Sequence, residues 1–259
     1  KKLSMKDSSK YYLTDHYSWV KTETGTFMCA HETADGLVYS VLSQDKHTLI
    51  EGNASYMEFK KNDRLVDSPS VAYIYRIQCP NLWNCIGTNI IRQVIRASQA
   101  KNMYRTFSES IGERVSLTGG IHYYLFPSPQ KVLETPDSTY QRMGMSFKRD
   151  ALKSAARFIL EHADRLEKIQ ALDLLDELMK IHRVGSWTAR ATVADYTNEL
   201  ATYPYGDAAI RFYAREALPR HEWPKEEVAF IQELHKVAGV ENISSSIATL
   251  IMVHEIKRV

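Results

Sequence analysis

Residues 178–211 read LMKIHRVGSWTARATVADYTNELATYPYGDAAIR, and this stretch decides the fold. It predicts a helix, a tight turn through Val184-Gly185, a second helix, and then an aromatic-rich loop that delivers Asp207 to the start of a third helix. A helix N-terminus presents unpaired N–H donors and the positive end of a dipole. The turn can therefore hold a phosphate with its backbone. A lone carboxylate a fixed distance downstream can then act on whatever that grip presents. The plainer reading of the turn is a corner between two helices, and the plainer reading of Asp207 is a helix N-cap. The position of Asp207 after the turn favours a chemical role. Both roles can hold at once, because capping bonds also keep a carboxylate ionised.

Toward the N-terminus the chain is helical back to Asn81. Leu82, Cys85, Ile86, Ile90, Ile91 and Val94 form an apolar stripe at helical spacing. Ser128-Pro129 is a cap followed by proline at the first helical position. Ser146 is placed to cap a helix through about residue 163. Toward the C-terminus, Pro224-Lys225-Glu226-Glu227 opens a helix reaching Val237, and a last helix over residues 243–257 turns Ile247, Leu250, Ile251 and Ile256 inward. Before Pro80 the pattern changes to strands. Residues 26–31 and 37–42 flank a turn containing Asp35-Gly36, and residues 71–77 are rich in β-branched and aromatic side chains. The expected fold is α+β: a small antiparallel sheet of four or five strands over residues 1–79, then a mainly α-helical bundle over residues 80–259.

The 259 residues can bury a full core and suffice for two domains. The apolar runs are broken by charge within a few residues, which leaves no membrane span. The basic start, KKLSMKDSSK, has no apolar core behind it and does not read as a secretory signal. Cys29, Cys79 and Cys85 are too few and too scattered for a disulfide framework, which points to a reducing, cytoplasmic location. The net charge of +2 alone says little about partners. Its distribution says more: between Cys85 and Leu160 there are 11 Lys or Arg against 5 acids, so the rest of the chain is net negative. Solvated helix faces explain any one of these cations; together they suit a phosphate-facing surface.

Trp187 and Trp83 read first as core residues, and Tyr123, Tyr124, Tyr203 and Tyr205 as half-buried surface; the alternative is a stacking pocket for a planar ring. His182, His221 and His235 have no partner at metal-ligand spacing, so no metal chemistry and no cofactor is assigned.

Five landmarks in order resemble the helix-hairpin-helix DNA glycosylase superfamily, in its bacterial 3-methyladenine glycosylase II branch. Asn81-Leu82-Trp83 followed by residues 90–95, IIRQVI, resembles an early "I-L-x-Q-x" helix. Phe126-Pro127-Ser128-Pro129 resembles an "F-P-T-P" linker, and Met143-Gly144-Met145-Ser146-Phe147-Lys148 resembles "L-G-M-S-x-x-K". Val184-Gly185-Ser186-Trp187-Thr188-Ala189 resembles the hairpin "[IV]-G-x-W-T-A", and residues 203–207, YPYGD, resemble the loop ending in the catalytic aspartate.

The resemblance implies a helix-hairpin-helix over about residues 172–195, Asp207 as catalytic acid, and a base pocket of Trp187, Trp83, Tyr203, Tyr205 and Tyr123. It places DNA contacts at Arg183, Val184, Gly185, Ser186, Thr188, Gln93, Arg96 and Lys148, with Val94 near the side chain that wedges into the duplex. It also implies a monovalent cation at the hairpin carbonyls, and a monomer acting on double-stranded DNA without a nucleotide cofactor. Relatives that also cleave the strand carry a lysine two residues after the hairpin glycine; Trp187 stands there and cannot form an amine adduct. The implied activity is monofunctional removal of a damaged, alkylated purine. The alternatives are a bulky adduct or oxidised purine as the lesion, strand cleavage through Lys180 or Lys148, and a binder without catalysis. The family hairpin usually reads "P-G-[IV]-G"; His182-Arg183 replace Pro-Gly here, so Arg183 must avoid a positive φ or bear strain.

Overall fold

The computed structural model describes residues 10–13, 16–18, 20–21, 27–33, 36–42, 49–51, 56–67, 70–79, 81–117, 121–239 and 243–257. The basic tail over residues 1–9, the Ala34-Asp35 turn and Pro80 lie outside them. Among the described residues seven strands come first: β1 (Lys10–Leu13), β2 (Val20–Lys21), β3 (Phe27–Thr33), β4 (Gly36–Leu42), β5 (Leu49–Glu51), β6 (Tyr56–Lys60) and β7 (Tyr73–Ile77). Helices α1 (Leu82–Arg92) and α2 (Ala97–Ile111) follow, then a hairpin of β8 (Arg114–Leu117) and β9 (Ile121–Tyr124). The rest is helical: α3 (Pro129–Glu134), α4 (Asp137–Arg142), α5 (Ser146–Leu166), α6 (Ala171–Leu178), α7 (Ser186–Thr197), α8 (Ala208–Ala217), α9 (Glu227–Ala238) and α10 (Ile243–Lys257).

One antiparallel sheet is not what the strands form. They make a four-stranded antiparallel sheet in the order β2-β3-β4-β5 and a three-stranded sheet in the order β1-β7-β6. In the second, β1 runs parallel to β7. A parallel pair needs a long crossover, and the strands between β1 and β7 supply it, which no local pattern announces. Phe59 and Ile74 from this sheet share a core with Ile210, Phe230 and Ile247. The sheet therefore packs into the helical part, with residues from both sides of position 80 in one core.

Helix α7 separates two cores. Ala189 and Val193 face one with Ile86 and Ile90 of α1, Leu152 of α5 and Leu174 of α6. Ala191 and Ala194 face the other with α8, α9 and α10. Its small residues let neighbouring helices approach on both sides, and a helix buried all round needs no single apolar stripe. Each large side chain buried in these cores contributes about 1.5–3 kcal/mol. No single helix among the described residues is long and apolar enough to cross a membrane.

Several expected boundaries move by a turn or less. Ser128 caps α3, its Oγ accepting from Lys131 N at 3.3 Å, as its Ser-Pro pair implies. Ser146 is the first helical residue of α5 rather than its cap, because Met145 takes the cap position after Gly144 at φ +68°. Helix α9 starts at Glu227, with the Glu226 carboxylate accepting from Ala229 N at 2.9 Å, so Pro224 precedes the helix rather than opening it. Val94 leaves the apolar stripe: α1 ends at Arg92, and Val94 stands fully exposed at φ +60°.

Candidate active site and nucleic-acid interface

Asp207 is the N-cap of α8, and its Oδ1 accepts from Ala209 N at 2.7 Å. Its other oxygen, Oδ2, accepts from Trp187 Nε1 at 2.9 Å. The residue therefore caps a helix with one oxygen and holds the Trp187 indole with the other. The loop before it turns tightly, with Asp207 N donating to Pro204 O at 2.9 Å. Gly206 lets that loop lie against α9, since a Cβ there would stand 2.8 Å from Glu227 Cγ and from Ile231 Cδ1. Asp207 and Trp187 line a cleft of about 650 Å³ with Arg92, Val94, Arg96, Tyr203, Tyr213 and His254.

The floor of the cleft rests on a buried charge network. Asp195 of α7 accepts from Arg76 Nη2 at 2.6 Å, from Asn89 Nδ2 at 2.9 Å and from Arg92 Nη1 at 3.3 Å. Arg76 is 1% exposed and also donates to Asn198 Oδ1 at 2.9 Å, which ties β7 to the end of α7. Arg92 in turn donates to the Tyr203 hydroxyl at 3.2 Å, and its guanidinium lies 5.5 Å over the Trp187 ring. Burial opposes the Arg92 charge, but Tyr203 and Asp195 outweigh it and hold the group above its ordinary value. Burial also pushes the Tyr203 hydroxyl well up, so it stays neutral as Arg92's partner. On another wall, His254 of α10 stacks on Tyr213 at 4.0 Å between ring centroids. Its Nδ1 is 2.6 Å from Glu216 Oε2, and a carboxylate partner makes that nitrogen the donor.

Beside the cleft lie two left-handed residues. Val94 has φ +60° and Arg183, in the α6–α7 turn, has φ +65°. Gln93 joins the segments that carry them, its Nε2 donating to Arg183 O at 3.1 Å and to Thr188 Oγ1 at 2.8 Å. Lys148 Nζ donates to Gln93 O at 2.6 Å from a side chain that is 2% exposed. Burial lowers this amine to about 8. The Arg183 guanidinium approaches Asp150 at 3.6 Å. Arg183 thus occupies the strained place instead of avoiding it, at a cost of roughly 1–2 kcal/mol for a non-glycine residue. Gly185, by contrast, has an ordinary extended backbone at φ −89°.

No family model matches the chain. DNA-3-methyladenine glycosylase of Bacillus subtilis (strain 168) is 21% identical over 161 residues, 60% of this chain and 53% of that protein. The chain thus spans about half the length of that curated relative. The structure of 3-methyladenine DNA-glycosylase from Archaeoglobus fulgidus matches with a TM-score of 0.68 at 15% identity, over 93% of this chain and 90% of that one. The 8-oxoguanine glycosylase/lyase of Clostridium acetobutylicum, in complex with double-stranded DNA containing cytosine opposite 8-oxoG, matches with a TM-score of 0.62 at 15% identity, over 93% and 89% of the two chains. This chain has the helix-hairpin-helix DNA glycosylase fold.

Within that glycosylase fold, the cleft gathers Asp207, Trp187, Tyr203, Val94 and Arg96 of the residues expected from sequence. Three expected pocket residues lie elsewhere. Trp83 is buried with Nε1 donating to Pro127 O at 2.7 Å, so it is a core residue. Tyr123 is buried with its hydroxyl on Ser18 O, and Tyr205 packs on His235 at 5.4 Å. Of the expected DNA contacts, Arg183, Gly185, Ser186, Val94 and Arg96 are exposed, whereas Val184, Thr188 and Lys148 are buried. Lys148 and Thr188 hold Gln93 instead, because their polar ends are turned inward onto it. At the hairpin carbonyls, where the resemblance implies a cation, Ile181 O accepts from Val184 N and Arg183 O from Gln93 Nε2.

Sequence reasoning missed Arg92, Asp195, Tyr213 and His254. Arg92 had a signal, a lone cation at the end of an apolar helix, and so had His254 in the run IATLIMVHEIK. Asp195 and Tyr213 are assembled across elements and carry none.

Proposed function

We propose that this chain is a monofunctional DNA glycosylase that ejects a damaged purine, taken to be alkylated, from duplex DNA and hydrolyses its N-glycosidic bond. The observation that carries this reading is the Trp187 Nε1 to Asp207 Oδ2 bond of 2.9 Å inside a cleft that Val94 also lines. An exposed apolar side chain on a strained turn can fill the space of a base that leaves the stack. The C1′–N bond then breaks with its electron pair going to the base, and the sugar becomes an oxocarbenium ion. Asp207 stabilises that cation, and water adds to C1′ as its proton passes to the Asp207 carboxylate and from there to solvent. Trp187 and the Ala209 N–H fix the carboxylate in place.

Water is the nucleophile in this reading because no lysine among the described residues lines the cleft. The Lys148 amine is turned onto Gln93 O, and Lys180 is exposed and paired with Glu177 at 2.7 Å. An alkylated purine suits the cleft's aromatic lining: Trp187, Tyr203 and Tyr213 offer ring faces to a cationic base. Such a base is cationic and leaves readily, so a single carboxylate suffices. The chain acts as a monomer on duplex DNA.

Mass-spectrometric detection of bases released from methylating-agent-treated duplex DNA tests this directly. Wild type is expected to release methylated purines, and Asp207→Asn is expected to bind the duplex without releasing them. Equal release by both proteins would remove Asp207 from the chemistry.

A further inference from the structure

A second cleft, of about 360 Å³, lies between α2 and the β8–β9 hairpin. Tyr17 lines both clefts and is the one residue they share among those described. Four phenol rings wall the second: Tyr17, Tyr104, Tyr123 and Tyr124. Tyr17 meets Tyr104 edge-on at 5.7 Å, and Tyr104 stacks on Phe126 at 5.1 Å, so this wall is backed by the core. Clefts of this size with aromatic walls and a few convergent polar groups are what small planar ligands occupy.

Two polar features say which kind. Ser108 lines the cleft and is 3% exposed, and its Oγ has no hydrogen-bond partner among the described residues. A buried hydroxyl without a partner is unfavourable, and a ligand heteroatom would supply the missing bond. Lys101 and Arg105 stand one turn apart on α2, both exposed, and neither is in an ion pair among the described residues. Two adjacent cations match the charge and several oxygens of a phosphate better than a single carboxylate.

We propose that this cleft binds a nucleoside monophosphate, either free or as one nucleotide of a DNA strand. The base lies against the tyrosines and bonds Ser108 Oγ, and the phosphate sits on Lys101 and Arg105. The site stands whether or not Asp207 is catalytic, since it uses none of the residues assigned to base release.

Calorimetric titration of the whole chain with 2′-deoxyadenosine 5′-monophosphate, deoxyadenosine and inorganic phosphate tests it. The monophosphate is expected to bind with a Kd below about 1 mM, and the other two probes at least about tenfold more weakly. The double variant Lys101→Ala/Arg105→Ala changes only exposed side chains and is expected to weaken the monophosphate about tenfold or more. Ser108→Ala is expected to weaken it by a few-fold. Trp187→Ala, in the other cleft, should leave it unchanged. Loss of binding through Trp187→Ala with none through the double variant would place the nucleotide beside Asp207 and overturn the proposal. So would no binding at about 1 mM. Fluorescence polarisation with labelled single-stranded and duplex DNA separates the two sources. Weaker DNA binding by the double variant assigns the cleft to a strand nucleotide; unchanged DNA binding beside lost monophosphate binding assigns it to the free nucleotide.

Discussion

Trp187 and Asp207 are joined by one hydrogen bond of 2.9 Å, from the indole Nε1 to Oδ2, across 20 residues of chain. Ala209 N holds the other oxygen at 2.7 Å, so the carboxylate cannot rotate without breaking a bond. The Trp187 ring is itself held by the Arg92 guanidinium at 5.5 Å, and Arg92 by Asp195. The orientation of the acid in the cleft is thus inherited from a buried ion network that reaches Arg76 in the sheet.

Trp187→Phe keeps a ring under Arg92 but removes the N–H. A hydrogen bond to a charged group contributes about 1.5–3 kcal/mol, so base release is expected to slow by about 10- to 100-fold. Single-turnover rates on a methylated duplex measure it. DNA affinity should change much less, because the indole N–H faces the acid and not the surface. An unchanged rate would mean that Ala209 alone positions the carboxylate.

Val94→Gly separates stability from activity. A β-branched residue at φ +60° is strained by roughly 1–2 kcal/mol, and its exposed side chain gains nothing from packing. Glycine relieves that strain but adds about 0.5–1 kcal/mol of unfolded-chain entropy. The melting temperature is expected to hold or rise slightly while base release falls sharply, since the side chain proposed to fill the space of the ejected base is gone. A stability loss above about 1 kcal/mol would show that Val94 packs in a way its exposure hides.

Asp195→Ala is expected to cost about 3–5 kcal/mol in urea unfolding, because it removes the carboxylate held at 2.6 Å by Arg76, a side chain only 1% exposed. Asp195→Asn should cost less, as it keeps an acceptor for Arg76. Both should also lower activity through Arg92. A milder loss from alanine than from asparagine would contradict the role of the network.

What could be read from sequence follows a physical divide. The hairpin, the capping position of Asp207 and the helical stripe of α1 are local patterns, and the structure carries all three. The parallel pairing of β1 with β7 is non-local, and no local signal encodes it. The same divide runs through the site. Asp207 and Trp187 lie on one short stretch and could be paired by spacing. Arg92, Asp195 and Tyr203 come from α1, α7 and the loop before α8, and only packing brings Asp195 and Tyr203 within 3.3 Å of Arg92. Trp83 and Tyr123 were misplaced for a related reason: an aromatic side chain reads the same in a core as in a pocket until its neighbours are known.

Lys148 gives the fold a pH dependence with a definite sign. Burial lowers its amine to about 8 from the ordinary 10.5. Between those two values the unfolded chain binds a proton that the folded chain has released, so stability rises with pH across that window. Below about 8 the amine is charged in both states, and the full cost of burying it is present. Lys148→Met removes the titration, so the stability of wild type relative to the variant should climb from pH 8 to pH 10. Urea midpoints at matched pH values check this, and a flat difference would show that the amine keeps an ordinary value. The variant also leaves Gln93 O without its donor. Its base-release rate should therefore fall even where its stability exceeds that of wild type, because Gln93 precedes Val94 and holds the hairpin at Arg183.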